Sequence, residues 1–529
     1  MKKRTVKWMS LMLAVSMVAT AAGCGGEKNQ ASQPAADETE NQAAGEETPD
    51  LSEHVKITYM TVGDKPANGK TEEVLQRVNE ILTEKVNAEL EIYYIGWTDY
   101  LTNYDLTLAQ MDGSIDLTIT GTDWLDAWPN AQKGAFLELS EDMLKTYAPQ
   151  TYAQVPAEHW DGCKYNGNIY FLPEDQYTQW TNHGFIYRSD WAKEAGLENG
   201  VHSWDDMTVY LQYIKDNKTD VIPWDIAGNT QTANQLTDGW IQSHSDYVRI
   251  EGLEAPLFYG ASKDNPYELA SPFIEGQELV DYAINQKEWA DAGFWKKDVL
   301  NTSAQTQEEF QNGQTGTHQH HTGTWLGMRE AMDVSQPGSD IEFFWFGEET
   351  KNLTKPSISH GAMAISAASK NPERALMVYD LLRNDEEIYR LFNYGIEGEQ
   401  YIVTDNGRLD RPEGYTDEEY GICTNFWGGR NDALELPSLN EYTEGKEALY
   451  AEYNEYAGEY PYSVIVFDTS NIKAEMSNLA SVYAEYMPRI AFGQTDDPEA
   501  YVAEFREQLK LAGYDTVAEE LQRQLDALK

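Results

Sequence analysis

The stretch SISHGAMAISAASKNPERALMVYDLLRNDEEIYRLFNYGIEGEQY, Ser357 to Tyr401, decides the fold. Gly361–Ser366 is an apolar run of buried-strand length. Asn371-Pro372-Glu373 starts a helix. Asn is placed to cap free amides, Pro loses no hydrogen bond in the first turn, and Glu meets the positive end of the dipole. Leu376, Tyr379 and Leu382 recur at helical spacing, with Val378 and Leu381 widening the stripe. Asn384 reads as the cap of a second helix, with Glu387 in capping-box position and Gly395 as its stop. Strand, turn, helix, helix is a unit that packs on a sheet.

The sheet itself is announced at the start of the chain. Val55–Tyr59 alternates like a strand, Val74, Val78, Ile81, Leu82 and Val86 mark a helix, and Ala88–Tyr94 returns as a strand. Tyr100–Gln110 reads as a helix and Ile115–Ile119 as a third strand. That order means a parallel sheet with right-handed crossovers. Ligands of such sheets meet the loops at the carboxyl ends of the strands, here Val62–Lys70 and Thr120–Trp128. Gly63–Thr71 imitates a phosphate-binding loop, but five residues separate its glycines where four are needed, so nucleotide binding is excluded. Ile169–Pro173 reads as a strand, and Ser203 as an N-cap with Asp205 and Asp206 in the first turn. Near the end, Leu439–Tyr460 and Ile472–Phe492 read as helical and Val464–Phe467 as a strand. Asp497 caps a helix carried by Val502, Phe505 and Leu509, and Asp515 opens the last, carried by Val517, Leu521, Leu525 and Leu528.

With 529 residues the chain has room for two or three domains. Its 39 basic and 89 acidic side chains exclude nucleic-acid binding, which needs a basic surface. Fifteen Trp and 33 Tyr exceed what a core alone calls for and suit a surface that stacks on sugars. The three cysteines are not a disulfide framework, and Cys163 and Cys423 either pair or, the preferred reading, are two free, buried thiols. Residues 1–23 join a basic n-region (Lys2, Lys3, Arg4, Lys7) to an apolar h-region, Leu11–Ala22, which is a signal peptide and too short to span a membrane. Residues 24–52 follow. Gly25–Asp50 lacks apolar periodicity and reads as a disordered tether.

Ala364–Leu382 resembles, almost in full, a signature of the family 1 extracellular solute-binding proteins of bacterial ABC importers, the maltose-binding-protein-like carriers. Tyr394–Tyr401 resembles a long lipoprotein subgroup associated with glycan uptake. Ala21-Ala-Gly-Cys24 resembles a lipobox, with Ala21 where the pattern has Leu. The resemblance implies a two-lobed α/β periplasmic-binding-protein-like fold of type II, its discontinuous lobes joined by a hinge. Lobe one would combine 53–175 with 355–435, and lobe two 176–354 with 436–529. It further implies a monomer that is not an enzyme, needs no cofactor, is lipid-anchored through Cys24 outside the cell, and delivers a carbohydrate to a membrane permease.

Candidate stacking platforms are Trp124, Trp180, Trp240, Trp325 and Trp427, because C–H faces of sugars pack on rings. Candidate polar partners are Asp64, Thr122, Asp123, Gln179, Glu397 and Asn425, because hydroxyls need such groups. Phe310–Trp325 resembles the family segment whose Trp, here Trp325, contacts the sugar from a loop. Thr424–Gly429 reads either as a loop approaching the ligand or as an aromatic plug. His318, His320 and His321 invite a metal reading. In a strand, however, His318 and His320 share one face and His321 takes the other, which favours hydrogen-bonding roles. The rival functions are an exported glycoside hydrolase, which needs two carboxylates flanking one bond, and a metal or peptide carrier on the same fold.

Cys24→Ala is expected to move the protein out of the membrane fraction. Fractionation checks this, and a variant that stays with the membrane overturns the lipid anchor.

Overall fold

The computed structural model describes residues 49–175, 180, 182–438 and 443–529. The signal peptide, Cys24, nearly all of the tether and Gln179 lie outside the described residues.

Val55–Val62 (β1), Ala88–Ile95 (β2) and Leu117–Thr120 (β3) open a five-stranded sheet. β1 runs parallel to both neighbours, with Val55 opposite Ala88 and Tyr59 opposite Leu117. The crossovers are Lys70–Val86 (α1) and Tyr100–Ala109 (α2). α1 buries Val74, Val78, Leu82 and Val86, a stripe at i, i+4 spacing in which each side chain contributes about 1.5–3 kcal/mol. The chain leaves this sheet after Leu172–Pro173 (β4). His183–Arg188 (β5), Thr317–His321 (β6) and Ile341–Trp345 (β7) make a second, antiparallel sheet in the order β6-β5-β7. Ala362–Ile365 (β8) then re-enters the first sheet, whose order is β2-β1-β3-β8-β4. β8 is antiparallel to both neighbours, with Ala362 opposite Thr120 on one side and Pro173 on the other.

Two large cores result, one in each lobe. The first joins Ile57, Leu82, Ile119 and Phe171 to Met363, Leu376, Phe392 and Phe426. The second joins Phe185, Trp204, Trp289 and Phe346 to Met487, Phe505 and Leu521, so the closing helices pack on the second lobe. A third, smaller core lies on the other face of β5, where Ile186 meets Trp180, Trp325, Phe343, Trp345 and Tyr453. Cys163 and Cys423 are both free thiols, the first buried and the second half-buried.

Several local readings need correction. Asn371 stands at the N-cap of Pro372–Asn384 (α3) but its side chain makes no capping bond. The second helix, Glu386–Tyr394 (α4), is capped by Asp385, whose Oδ1 accepts from Ile388 N at 3.1 Å. Asn384 instead donates to Thr151 Oγ1 and Asp380 O, each at 3.0 Å. Val464–Phe467 is not a strand. Tyr460, Tyr462 and Phe467 are buried while Val464 is 57% exposed, and the backbone turns, with Ile465 N donating to Tyr462 O at 2.9 Å. Leu528 is exposed rather than part of the last helix's buried stripe. Trp325 sits on the helix Thr322–Ser335, not on a loop.

Trp325 is 3% exposed and stacks on Phe343, ring centroids 5.7 Å apart and 17° from parallel. Trp325→Ala is expected to cost about 3–5 kcal/mol of stability and to leave the affinity of the folded protein unchanged. Thermal melting alongside calorimetry checks this, and an unchanged melting temperature overturns the core role.

Candidate functional site

The carboxyl ends of the parallel strands face a cavity of about 670 Å³ between the lobes. Lobe one contributes Trp97, just past β2, Tyr100 at the start of α2, and Thr122, Asp123 and Trp124 from the loop after β3. Lobe two contributes the start of the helix Thr230–His244, with Asn229, Gln231, Asn234 and Asp238, and the segment around Arg249 and Glu251. Gln231 Nε2 donates to the Tyr100 hydroxyl, a direct link between the lobes.

The lobe-one wall is aromatic. Tyr100 and Trp124 lie 6.2 Å apart by ring centroids, Trp97 and Tyr100 5.7 Å. Trp124 Nε1 donates to His360 O at 3.2 Å, which fixes the indole. Gly121 makes this possible, since a Cβ there would lie 2.3 Å from that nitrogen and 2.4 Å from the carbonyl. The lobe-two wall is polar. Tyr259 Oη donates to Asp238 Oδ1 at 2.9 Å, Tyr483 Oη to Asn234 Oδ1 at 3.2 Å, and Glu251 N to Tyr460 Oη at 2.8 Å.

Charge in the cavity is paired where it is held firmly. His360 Nδ1 lies 3.0 Å from Asp123 Oδ1, and Arg249 Nη1 donates to Asp238 Oδ2 at 3.3 Å. Burial opposes both members of the first pair. The carboxylate is nevertheless held below its usual range by His360, while Asp123, Glu174 and Glu251 push the imidazole up to about 9. Burial, followed by the negative charge of Asp123, pushes Glu251 up to about 7. Burial, followed by Asp105, does the same to Asp126.

The structure brings Thr122, Asp123 and Trp124 together on the cavity wall and sets Trp427 beside them, 5.8 Å from Trp124 by ring centroids. The other expected residues lie elsewhere. Trp180 packs on Tyr453 at 4.9 Å in the small core. Trp240 stacks on His244 at 3.8 Å and donates its indole N–H to Glu278 O at 3.0 Å. With Trp325 also buried, none of the three presents a face to the cavity, because each completes a core. Glu397 is exposed in a separate depression beside Arg77 and Tyr401. Asn425 is committed to the backbone. Its carbonyl accepts from Tyr59 Oη at 2.7 Å and Thr61 Oγ1 at 3.0 Å, and its Nδ2 donates to Val62 O at 2.7 Å. Asp64 Oδ1 accepts from Trp97 N at 3.4 Å. Thr424–Gly429 is a plug at one residue and open at the next. Phe426 plugs the core and Trp427 is 40% exposed.

Trp97, Tyr100, His360, Arg249 and the amides of 229–235 were not legible as site residues, although Trp97 obeys the same carboxyl-end rule as the two loops read above. His318 and His320 stack 5.4 Å apart at 17°, as residues sharing one strand face do. His321 turns to cap the next helix, accepting from Thr324 N at 3.2 Å. Burial, the largest influence on each, pushes His183 down to about 3, His320 to about 4, and His318 and His321 well below the usual range. Among the described residues no three His, Cys, Asp or Glu side chains are arranged to hold a metal ion.

Comparison with known proteins agrees with this architecture. Residues 76–395 match the family described as bacterial extracellular solute-binding protein, and 461–529 match a domain of unknown function, DUF3502. The chain belongs to the bacterial extracellular solute-binding protein family. A carbohydrate ABC transporter substrate-binding protein of Streptococcus pneumoniae is 26% identical over 89% of this chain and 90% of its own. The crystal structure of the N-glycan transport solute binding protein NgtS from that species, in complex with Man1GlcNAc, is similar with a TM-score of 0.70 and 23% identity, over 89% of this chain and 99% of that one. The alginate-binding protein AlgQ2 follows the same fold with a TM-score of 0.64 and 18% identity, over 90% and 99% of the two chains.

His360 gives the site a pH signature. Its imidazole is pushed up to about 9 in the folded protein, against about 6.5 unfolded, so the folded state binds the proton more tightly. That contribution is full below about pH 6.5 and is lost as pH rises through 9. Glu174 and Glu251, raised to about 7, act in the same direction at lower pH. The ligand-free melting temperature should therefore fall between about pH 6.5 and 9.5, and His360→Gln should flatten the upper part of that fall. An unchanged slope in the variant overturns the ion pair with Asp123.

Proposed function

We propose that this protein captures an oligosaccharide between its two lobes and hands it to the permease of an ABC importer. It is a monomer held outside the cell by acyl chains on Cys24, and it performs no chemistry on its ligand. The observation that carries this reading is the asymmetry of the cleft. Trp97, Tyr100 and Trp124 form a ring-lined wall opposite an amide-rich helix start. A pyranose has the matching asymmetry, with C–H faces for the rings and hydroxyls for the amides. The pneumococcal relatives, one named as a carbohydrate transporter component and the other solved with Man1GlcNAc and Man5GlcNAc, support it.

The lobes are proposed to combine 53–175 with 355–435 and 176–354 with 436–529. A ligand touching both favours the closed arrangement, since only differential contact shifts such an equilibrium.

The glycan is proposed to be uncharged. Asp99, Asp126, Glu251 and Glu254 line the cavity in addition to the two ion-paired carboxylates Asp123 and Asp238. Arg249 and His360 are already engaged by that pair, and Lys355, the other lining cation, by Glu459, so a uronate would meet net repulsion. Calorimetry with Man5GlcNAc and with an oligomannuronate of similar length tests this. The neutral glycan should bind at least about tenfold more tightly, a difference of ~1.4 kcal/mol. Tighter binding of the mannuronate overturns the neutral assignment. Release of reducing ends from either glycan overturns the carrier reading in favour of a hydrolase.

A further inference from the structure

We infer that Trp97 and Trp427 form an outer subsite, a platform at the mouth of the cleft that takes one sugar unit of a glycan whose other units lie in the cavity. This rests on the oligosaccharide reading above and adds to it a residue that senses chain length.

The two indoles are 45% and 40% exposed, in a chain that buries Trp204, Trp224 and Trp289 completely or nearly so. Their centroids lie 6.0 Å apart with the planes 39° from parallel. Trp97 lines the cavity, whereas Trp427 stands outside it. The pair therefore continues the cavity's aromatic wall outward. That continuity identifies the occupant as the next unit of the same saccharide.

The mounting of these rings is rigid. Tyr59, Thr61 and Val62 of β1 hold Asn425 by three hydrogen bonds of 2.7–3.0 Å, two residues before Trp427. Asn425 has φ 44°, and at Gly63 a Cβ would lie 2.3 Å from its Nδ2, so only glycine lets the loop seat this closely. On the far side of Trp427, a Cβ on Gly428 would lie 2.3 Å from Ala362 O. Trp97 is tied to the same place through Asp64. Two loops far apart in sequence are thus fixed to one strand end, with the two indoles part exposed. Rings that merely filled a gap in the core would not need that arrangement. A pre-set platform loses little freedom when a sugar ring settles on it.

The test uses the full-length protein and two probes, Man1GlcNAc and Man5GlcNAc, in calorimetry. The wild type should bind the longer probe more tightly. Trp427→Ala should cut the ratio of the two affinities by roughly tenfold, and Trp427→Phe should keep most of it. The ring contacts of Trp427 are to Trp97 and Trp124, so the ligand-free melting temperature of the variants should stay close to wild type. A parallel measurement avoids substitution altogether. In 5-fluorotryptophan-labelled wild-type protein, the Trp427 resonance should shift with Man5GlcNAc and not with Man1GlcNAc. An unchanged affinity ratio, or a Trp427 resonance that responds equally to both probes, overturns the subsite while leaving the carrier reading intact. Failure of the wild type to bind either probe overturns the N-glycan form of the oligosaccharide reading and the subsite with it.

Discussion

β8 is a strand of four residues whose side chains are all fully buried. No water reaches its backbone, so every amide and carbonyl must find a protein partner. β3 and β4 flank it on its two edges, and Leu137 N donates to the Ile365 carbonyl at 2.8 Å. This requirement shapes the whole molecule. The chain that leaves the first sheet after Pro173 returns to complete it, and most of the segment between packs with the closing helices around the second large core. Because β8 runs antiparallel, its beginning lies at the carboxyl ends of the parallel strands. His360 is thereby delivered to Asp123, and the carbonyl of Ala362 becomes the surface on which Gly428 closes.

The cleft so formed combines two kinds of surface that would not tolerate each other in a core. One wall is aromatic, with Tyr100 buried, Trp124 half-buried and Trp97 exposed. The other carries amides, hydroxyls and carboxyls, and some of the carboxyls are pushed toward neutrality by burial. A carboxyl close to its midpoint at neutral pH can donate as well as accept a hydrogen bond, as a sugar hydroxyl does. The bond from Gln231 to Tyr100 already joins the lobes. A ligand therefore has to add contacts on both sides of an existing bridge if it is to shift the balance between open and closed arrangements.

The parallel half of lobe one was legible because periodicity is local. α1 and β2 each bury one face and β1 is buried on both from Ile57 to Val62, and both kinds of burial leave a local pattern in the sequence. The rule that ligands meet strand ends pointed to the loop after β3, which is why Thr122, Asp123 and Trp124 of the cavity wall could be picked out in the sequence. The second-lobe part had no such rule behind it. Asp238 and Arg249 stand eleven residues apart in sequence and meet only through tertiary packing. The tryptophans failed for a different reason. A Trp suits a core and a sugar site equally well, so its identity does not separate Trp240 and Trp325, which fill cores, from Trp427, which does not. Glu397 failed because the motif around it carries family likeness rather than ligand chemistry.

Asp64 and Asn425 show what separates a residue that touches a ligand from one that stands next to it. Both were read as sugar partners because both are polar and lie in loops, Asp64 past a strand end and Asn425 beside two aromatics and a pair of glycines. The structure gives the carbonyl and the Nδ2 of Asn425 to strand β1, and an oxygen of Asp64 to the backbone of Trp97. Hydrogen bonds made within the protein cannot be made again to a sugar without breaking them, so such groups add no net affinity as direct partners. Their effect is exerted through position. They hold two large apolar rings in water at fixed angles, an arrangement that burial would otherwise undo. In a loop at the mouth of a cleft, the informative feature of a polar side chain is therefore whether its donors and acceptors are already occupied. Where they are, the side chain acts by fixing its neighbours, as Asp64 and Asn425 do for Trp97 and Trp427.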